Sequence, residues 1–181
     1  LNDLSEARRQ MDGYITKIYD NGKRINTSKY LTEELSDNAV KFVDDNSENP
    51  FFLYLSYNAP HTPLQATEKD LARNMHIEEK NRRTYAAMVT SMDDGIGLIL
   101  DKLEEKKISD NTIVIFFSDN GGVEWYNYSD NGELRGIKGD FFEGGIRVPF
   151  VMQWPDLLPA GLTYDNHSIN ILKKYILQKF L

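Results

Sequence analysis

From Glu78 to Lys107 the apolar residues Tyr85, Met88, Val89, Met92, Ile96, Ile99, Leu100 and Leu103 recur at helical spacing, which amounts to about eight turns of helix. A short apolar run stands on either side of this stretch: Phe51-Phe52-Leu53-Tyr54-Leu55-Ser56-Tyr57 before it, and Thr112-Ile113-Val114-Ile115-Phe116-Phe117-Ser118 after it. Continuous apolar runs of that length read as buried strands. Strand, long helix and strand in this order form a right-handed crossover between parallel strands. The predicted fold is therefore α/β, a largely parallel sheet flanked by helices. Asp93-Asp94 on the long helix reads as solvated or capping, because adjacent helical residues point about 100° apart and cannot share one ligand.

The remaining segments fit around that unit. Asp20-Asn21-Gly22 between β-rich flanks predicts a tight hairpin, since Asn and Gly both tolerate positive φ. Thr32 is placed to cap a helix with Leu35, Ala39, Phe42 and Val43 on its apolar stripe, ending near Asn46. Thr67-Glu68-Lys69-Asp70 starts another, shorter one. Phe150 to Trp154 reads as a third strand. With 181 residues, 40% of them hydrophobic, the chain can build one sizeable core. Its net charge of −7 argues against a nucleic-acid surface. No run approaches the roughly 20 apolar residues of a membrane-spanning helix. Cysteine is absent, which excludes disulfides, zinc-thiolate sites and a cysteine nucleophile. The chain begins with Leu1 and is expected to be a piece of something longer.

Three loops carry the chemistry. Asn58-Ala-Pro-His61-Thr-Pro-Leu64 follows the first strand, and the prolines on both sides of His61 stiffen the turn that aims its imidazole. Asp119-Asn120-Gly121-Gly122 follows the second strand at the same carboxyl edge, where open α/β sheets bind ligands. It reads either as a pair of oxygen ligands for a hard cation or as an Asx turn. The third stretch, Trp125 to Asp140, has no clean period and ends in Leu134-Arg-Gly-Ile-Lys138-Gly139. An ammonium on a flexible stem suits a tetrahedral oxyanion, although a solvated surface charge is the plainer reading of any one lysine. Trp125, Tyr126 and Tyr128 either stack on a sugar ring or pack the loop. Glu143 and Arg147 are expected to form an ion pair that braces the segment after it.

Taken in order, Asn58-Ala-Pro-His61-Thr-Pro63, Ser118-Asp119-Asn120-Gly121, Leu134-Arg-Gly-Ile-Lys138-Gly139 and Glu143-Gly-Gly-Ile-Arg147-Val-Pro149 resemble the formylglycine-dependent sulfatases of the alkaline-phosphatase-like fold. The match is to the C-terminal part of the catalytic domain, from about Tyr30 to about Asp165. The resemblance implies that Asp119 and Asn120 ligate calcium, that His61 contacts the sulfate and can protonate the leaving oxygen, and that Lys138 binds sulfate oxygens. It also implies a sulfated small molecule or sulfated carbohydrate as substrate, and a periplasmic, secreted or lysosomal location.

The family makes its formylglycine nucleophile from Cys or Ser in a Cys/Ser-x-Pro-Ser-Arg motif. That motif is absent here: there is no cysteine, and none of the six prolines lies two residues after a serine. Calcium takes 6 to 8 oxygen ligands, so two residues of one turn leave the site short. The expected protein is a sulfuric ester hydrolase fragment, an incomplete domain over residues 1–165 lacking the N-terminal half of its parent. Alone it is expected to be inactive and to hold calcium weakly. Residues 166–181, with Ile169, Leu172, Ile176 and Phe180 on one face, read as an atypical helical tail. The alternatives are a phosphodiesterase or phosphonate hydrolase on the same fold, or a non-catalytic remnant.

Overall fold

The computed structural model describes residues 18–163. The tail expected over 166–181 lies outside the described residues. The first element is the hairpin β1 (Ile18–Asp20) and β2 (Lys23–Ile25), paired antiparallel with Asp20 opposite Lys23. Its turn places Asn21 at φ 47° and Gly22 at φ 78°, the left-handed pair that a two-residue hairpin requires.

The main mass is helical. Helix α1 (Leu31–Asn46) packs along α3 (Lys80–Glu105), and the short α2 (Glu68–Arg73) packs across α3. Thr32 is not the cap of α1. Tyr30 precedes the helix without a side-chain cap bond, and Thr32 is buried inside the first turn. There its carbonyl accepts the Ser36 hydroxyl at 2.7 Å. Thr67 does cap α2, its hydroxyl oxygen accepting from the Asp70 amide at 3.1 Å.

The crossing of α1 and α3 is close because Gly95 lacks a side chain. A Cβ there would lie 2.0 Å from Ser36 Oγ and 2.9 Å from the Tyr57 hydroxyl. The buried apolar residues of the two helices are Ala39 and Val43 of α1 and Ala87, Met88 and Leu103 of α3. Asp94 pairs with Arg73 and Lys69 on the surface, the solvated role expected of it.

Strand β3 (Val114–Phe117) pairs with β4 (Phe150–Gln153), in register from Val114 opposite Gln153 to Phe117 opposite Phe150. This ladder is antiparallel, whereas the expectation was a parallel pairing of the Phe51–Tyr57 and Thr112–Ser118 runs. Among the described residues, Phe51–Tyr57 joins no sheet. It runs with alternating exposure. Phe51, Leu53, Leu55 and Tyr57 turn toward the helices, with Phe51 meeting Phe42 edge-on at 5.7 Å and Tyr57 bonded to Ser36. Phe52 and Tyr54 turn outward, 68% and 60% exposed. The run is thus covered on one face only. A strand assignment needs a hydrogen-bonded neighbour as well as apolar residues, and no described segment supplies one. The architecture remains α/β, with helices and two small two-stranded sheets among the described residues.

Candidate active site

The loop carrying His61 is held from below. Ala59 and Ala66 are buried against Ala87 and Met88 of α3, with Leu64 and Leu71 packed around them. The Tyr30 hydroxyl donates to the Gln65 carbonyl at 2.8 Å. Within the loop the His61 amide donates to the Asn58 carbonyl at 2.8 Å, which closes the turn. The apolar residues flanking His61 are therefore anchors, and the histidine projects from the anchored turn into solvent.

His61 Nδ1 lies 2.8 Å from the Thr62 carbonyl. A carbonyl only accepts, so Nδ1 carries the proton in this contact and the Nε2 lone pair faces outward in the neutral ring. Facing it at 3.4 Å is the Lys138 ammonium, 77 residues away in sequence. Both side chains are exposed. An exposed imidazole beside an ammonium offers two cooperating donors to a tetrahedral anion once the imidazole is protonated.

The other three motifs converge through their backbones. The Lys138 amide approaches the Gly122 carbonyl at 3.4 Å, and Gly122 directly follows the Asp119-Asn120-Gly121 turn. The Gly121 amide donates to the Gly145 carbonyl at 2.9 Å, and the Gly144 amide to the Arg135 carbonyl at 2.7 Å. These approaches leave no room for side chains. A Cβ on Gly121 would sit 1.7 Å from the Gly144 carbonyl oxygen, and one on Gly144 would sit 2.1 Å from that of Gly136. The glycines of the three loops are thus points of backbone-to-backbone contact. Glu143 and Arg147 brace the last loop with an ion pair at 3.4 Å.

Asn131 was not singled out by the sequence reading, yet it ties two of these loops together. Its Oδ1 accepts from the Gly122 amide at 2.9 Å, and its Nδ2 donates to the carbonyls of Gly122 at 3.0 Å and Gly136 at 3.2 Å. The signal that could have found it is Asp130-Asn131-Gly132, a turn-forming triplet inside an otherwise unpatterned loop.

Asp119 is exposed, and no ion pair joins it to Lys138. The Asn120 amide nitrogen donates to the Gly121 carbonyl at 2.9 Å, which leaves Asn120 Oδ1 as an oxygen donor. Carboxylate and amide oxygens suit a hard cation such as calcium. Among the described residues no cluster of three or more acidic, histidine or cysteine side chains could hold a metal. The donor chemistry at Asp119 and Asn120 fits part of a calcium shell, which takes 6 to 8 oxygens.

The sequence profile of the sulfatase family matches residues 6–175. The chain is 34% identical over 152 residues to "Uncharacterized sulfatase YdeN" of Escherichia coli, a match covering 82% of this chain and 27% of that protein. It is 35% identical over 139 residues to an arylsulfatase of Hemicentrotus pulcherrimus, covering 76% of this chain and 24% of the relative. Among solved structures it superposes on Ps i-CgsB in complex with k-i-k-neocarrahexaose, with a TM-score of 0.78 and 42% identity, over 88% of this chain and 37% of that one. The chain spans about a quarter of the length of the curated relatives it matches. Four loop motifs in one order, three of them interlocked at their glycines and one touching through His61 and Lys138, agree with these matches: the chain belongs to the sulfatase family, as the C-terminal part of its alkaline-phosphatase-like catalytic domain.

Proposed function

We propose that this chain supplies the leaving-group and oxyanion side of a sulfatase active site, and that hydrolysis requires the rest of the domain. The observation that carries this reading is the 3.4 Å approach of Lys138 Nζ to His61 Nε2 across 77 residues. In a chain of net charge −7, such a pair is a local attraction for an anion against an unfavourable overall field. Lys138 holds a non-bridging sulfate oxygen. As a nucleophile from the rest of the domain bonds to sulfur and the bond between sulfur and the bridging oxygen breaks, a protonated His61 delivers its Nε2 proton to that oxygen, which leaves as an alcohol. Asp119 and Asn120 contribute to a calcium site; the ion, when bound, offsets charge on the sulfate oxygens.

The nucleophile is not in this sequence, so the chain alone is proposed to be inactive. Exposed apolar surface supports a missing neighbour: Phe52 is 68% exposed, and every residue of β4 is exposed, Val151 at 62%. The proposed substrate class is a sulfated carbohydrate, following the solved neighbour that holds a neocarrahexaose. The compartment proposed from the family is periplasmic, secreted or lysosomal. Among the described residues no helix is long and apolar enough to cross a membrane.

Three measurements test the proposal. Titration of the purified chain with inorganic sulfate should shift the His61 ring resonances, and Lys138→Ala should abolish that shift. Calorimetry should show calcium binding weaker than micromolar, and an aryl sulfate should not turn over. Turnover by the isolated chain, or micromolar calcium affinity, would refute the division of the site. A sulfate response unaltered by Lys138→Ala would refute the site itself.

A further inference from the structure

The segment after the Asp119–Gly122 turn contains a one-turn helix, α4 (Glu124–Asn127), whose aromatic residues are presented outward. Trp125 is 75% exposed and Tyr126 51%, with their ring centroids 5.7 Å apart and the planes inclined at 59°. The backbone beneath them is tied at both ends. At the start, the Glu124 carboxylate accepts from the Asn131 amide at 2.8 Å, and Asn131 is the residue that grips Gly122. At the end, Tyr128 takes a left-handed conformation (φ 62°) and its carbonyl accepts from Arg82 Nη1 at 2.6 Å. The Asn127 side chain accepts from the Ser129 amide at 3.0 Å. An exposed tryptophan on a loose loop would be unremarked surface. Here two large rings sit on a short, pinned support tied through Glu124 and Asn131 to the loop holding Lys138 and through Tyr128 to Arg82 of α3.

We infer that Trp125 and Tyr126 form a stacking platform for a sugar ring of the same carbohydrate whose sulfate is held by His61 and Lys138. The inference rests on the sulfatase reading above and names residues that select the substrate. Rigid aromatic rings provide contact area while losing little conformational freedom on binding, and a pinned backbone reduces the ordering cost further. The C–H face of a pyranose buries against an indole, while its hydroxyls stay in water at the rim. Rings this open suit a ligand that remains half solvated, as an oligosaccharide does. A purely apolar aglycone would instead need a concave apolar enclosure. Continuity supports the assignment: Gly122 stands two residues before Glu124, and its carbonyl is the one approached by the Lys138 amide.

The test uses the full chain labelled with nitrogen-15, in which Trp125 and Trp154 are the two tryptophans and the second serves as an internal control. The probes are a sulfated galactan hexasaccharide, its desulfated counterpart and inorganic sulfate. The expected result is a shift of the Trp125 indole N–H with the sulfated hexasaccharide. Trp125→Ala should then weaken that ligand by about tenfold, more than most single truncations at an interface cost, and leave inorganic sulfate affinity within about twofold. Circular dichroism checks that the exposed substitution leaves the fold intact. If Trp125→Ala and Tyr126→Ala both leave hexasaccharide affinity unchanged while Lys138→Ala removes it, the platform is overturned and the sulfate site stands. If the desulfated sugar binds equally well and Lys138→Ala has no effect while Trp125→Ala does, the platform stands and the sulfate reading fails. Absence of any Trp125 response, as expected were the rings reserved for packing against another part of the domain, overturns the platform.

Discussion

Strands β3 and β4 are far more apolar along their length than helices α1 and α3, yet it is the helices that are well covered. Along the helices, Ala39, Val43, Ala87, Met88 and Leu103 reach full burial, and Gly95 allows the two axes to close on Ser36 and Tyr57. Along the strands, Ile115, Phe116, Val151 and Met152 are all exposed. The loops at the strand ends nevertheless lock together through backbone contacts at Gly121, Gly144 and Gly145. A helix satisfies its own hydrogen bonds and needs only one apolar neighbour, whereas a sheet needs partners at its edges and cover on its faces. Among the described residues the helical layer is well covered, while the strand layer has its loops in order and its faces exposed.

Substitutions in the two layers should separate accordingly. The largest effect is expected from Met88→Ala, which opens a cavity where α3 meets the His61 loop and should cost about 2–5 kcal/mol of global stability, read from urea denaturation. Retention of wild-type stability would show that the helical core is not what holds the chain together. Next comes Gly144→Ala. The added methyl meets the Gly136 and Leu134 carbonyl oxygens, so about 1–3 kcal/mol should be lost locally. Hydrogen exchange should accelerate at the Gly121 and Gly144 amides while the amides of α3 keep their protection. Uniform loss of protection would merge the two layers into one cooperative unit.

Asn131→Ala deletes three hydrogen bonds to the backbones of Gly122 and Gly136 and should cost about 1 kcal/mol, again confined to the loops. The sulfate-induced shift of His61 should shrink in this variant, since Lys138 loses part of its support. Smaller still is the surface network of Asp94. The Arg73 guanidinium bonded to Asp94 holds its carboxyl below the ordinary range against the opposing effect of burial. A depressed folded value stabilises the protein fully above the unfolded aspartate value of about 3.9. That contribution is lost as pH falls through the lower folded value. Arg73→Ala should therefore lower stability only slightly at neutral pH, because the pair is largely exposed, and by progressively less as pH falls through the folded Asp94 value. Finally, Phe52→Ser should alter the stability of this chain by no more than about 0.5 kcal/mol, as for any exposed position. A marked loss would mean that the outward face of Phe51–Tyr57 is already covered.

Much of the candidate site was legible before any geometry. His61, Asp119, Asn120 and Lys138 stand in loops that follow apolar runs, and their order along the chain resembles one family that the comparisons then supported. The positions missed were of another kind. Asn131 and the paired glycines act through contacts between loops, and neither periodicity nor residue chemistry announces which backbone a glycine will touch. Thr32 illustrates the same limit on a smaller scale: its type suits a cap, but the helix starts earlier at Leu31 and the hydroxyl is buried instead.

Properties settled within a few residues were written in the chain itself: the Asn21-Gly22 turn, the Thr67 cap, the apolar stripe of α3 and the identity of the chemical groups. Only the folded arrangement decided that β3 pairs antiparallel with β4, that Phe51–Tyr57 is extended without a ladder among the described residues, and that Lys138 meets His61 across 77 residues. The division follows from physics. A helix or tight turn closes its hydrogen bonds locally, while strand pairing and the meeting of distant side chains depend on which partners the rest of the molecule brings within reach.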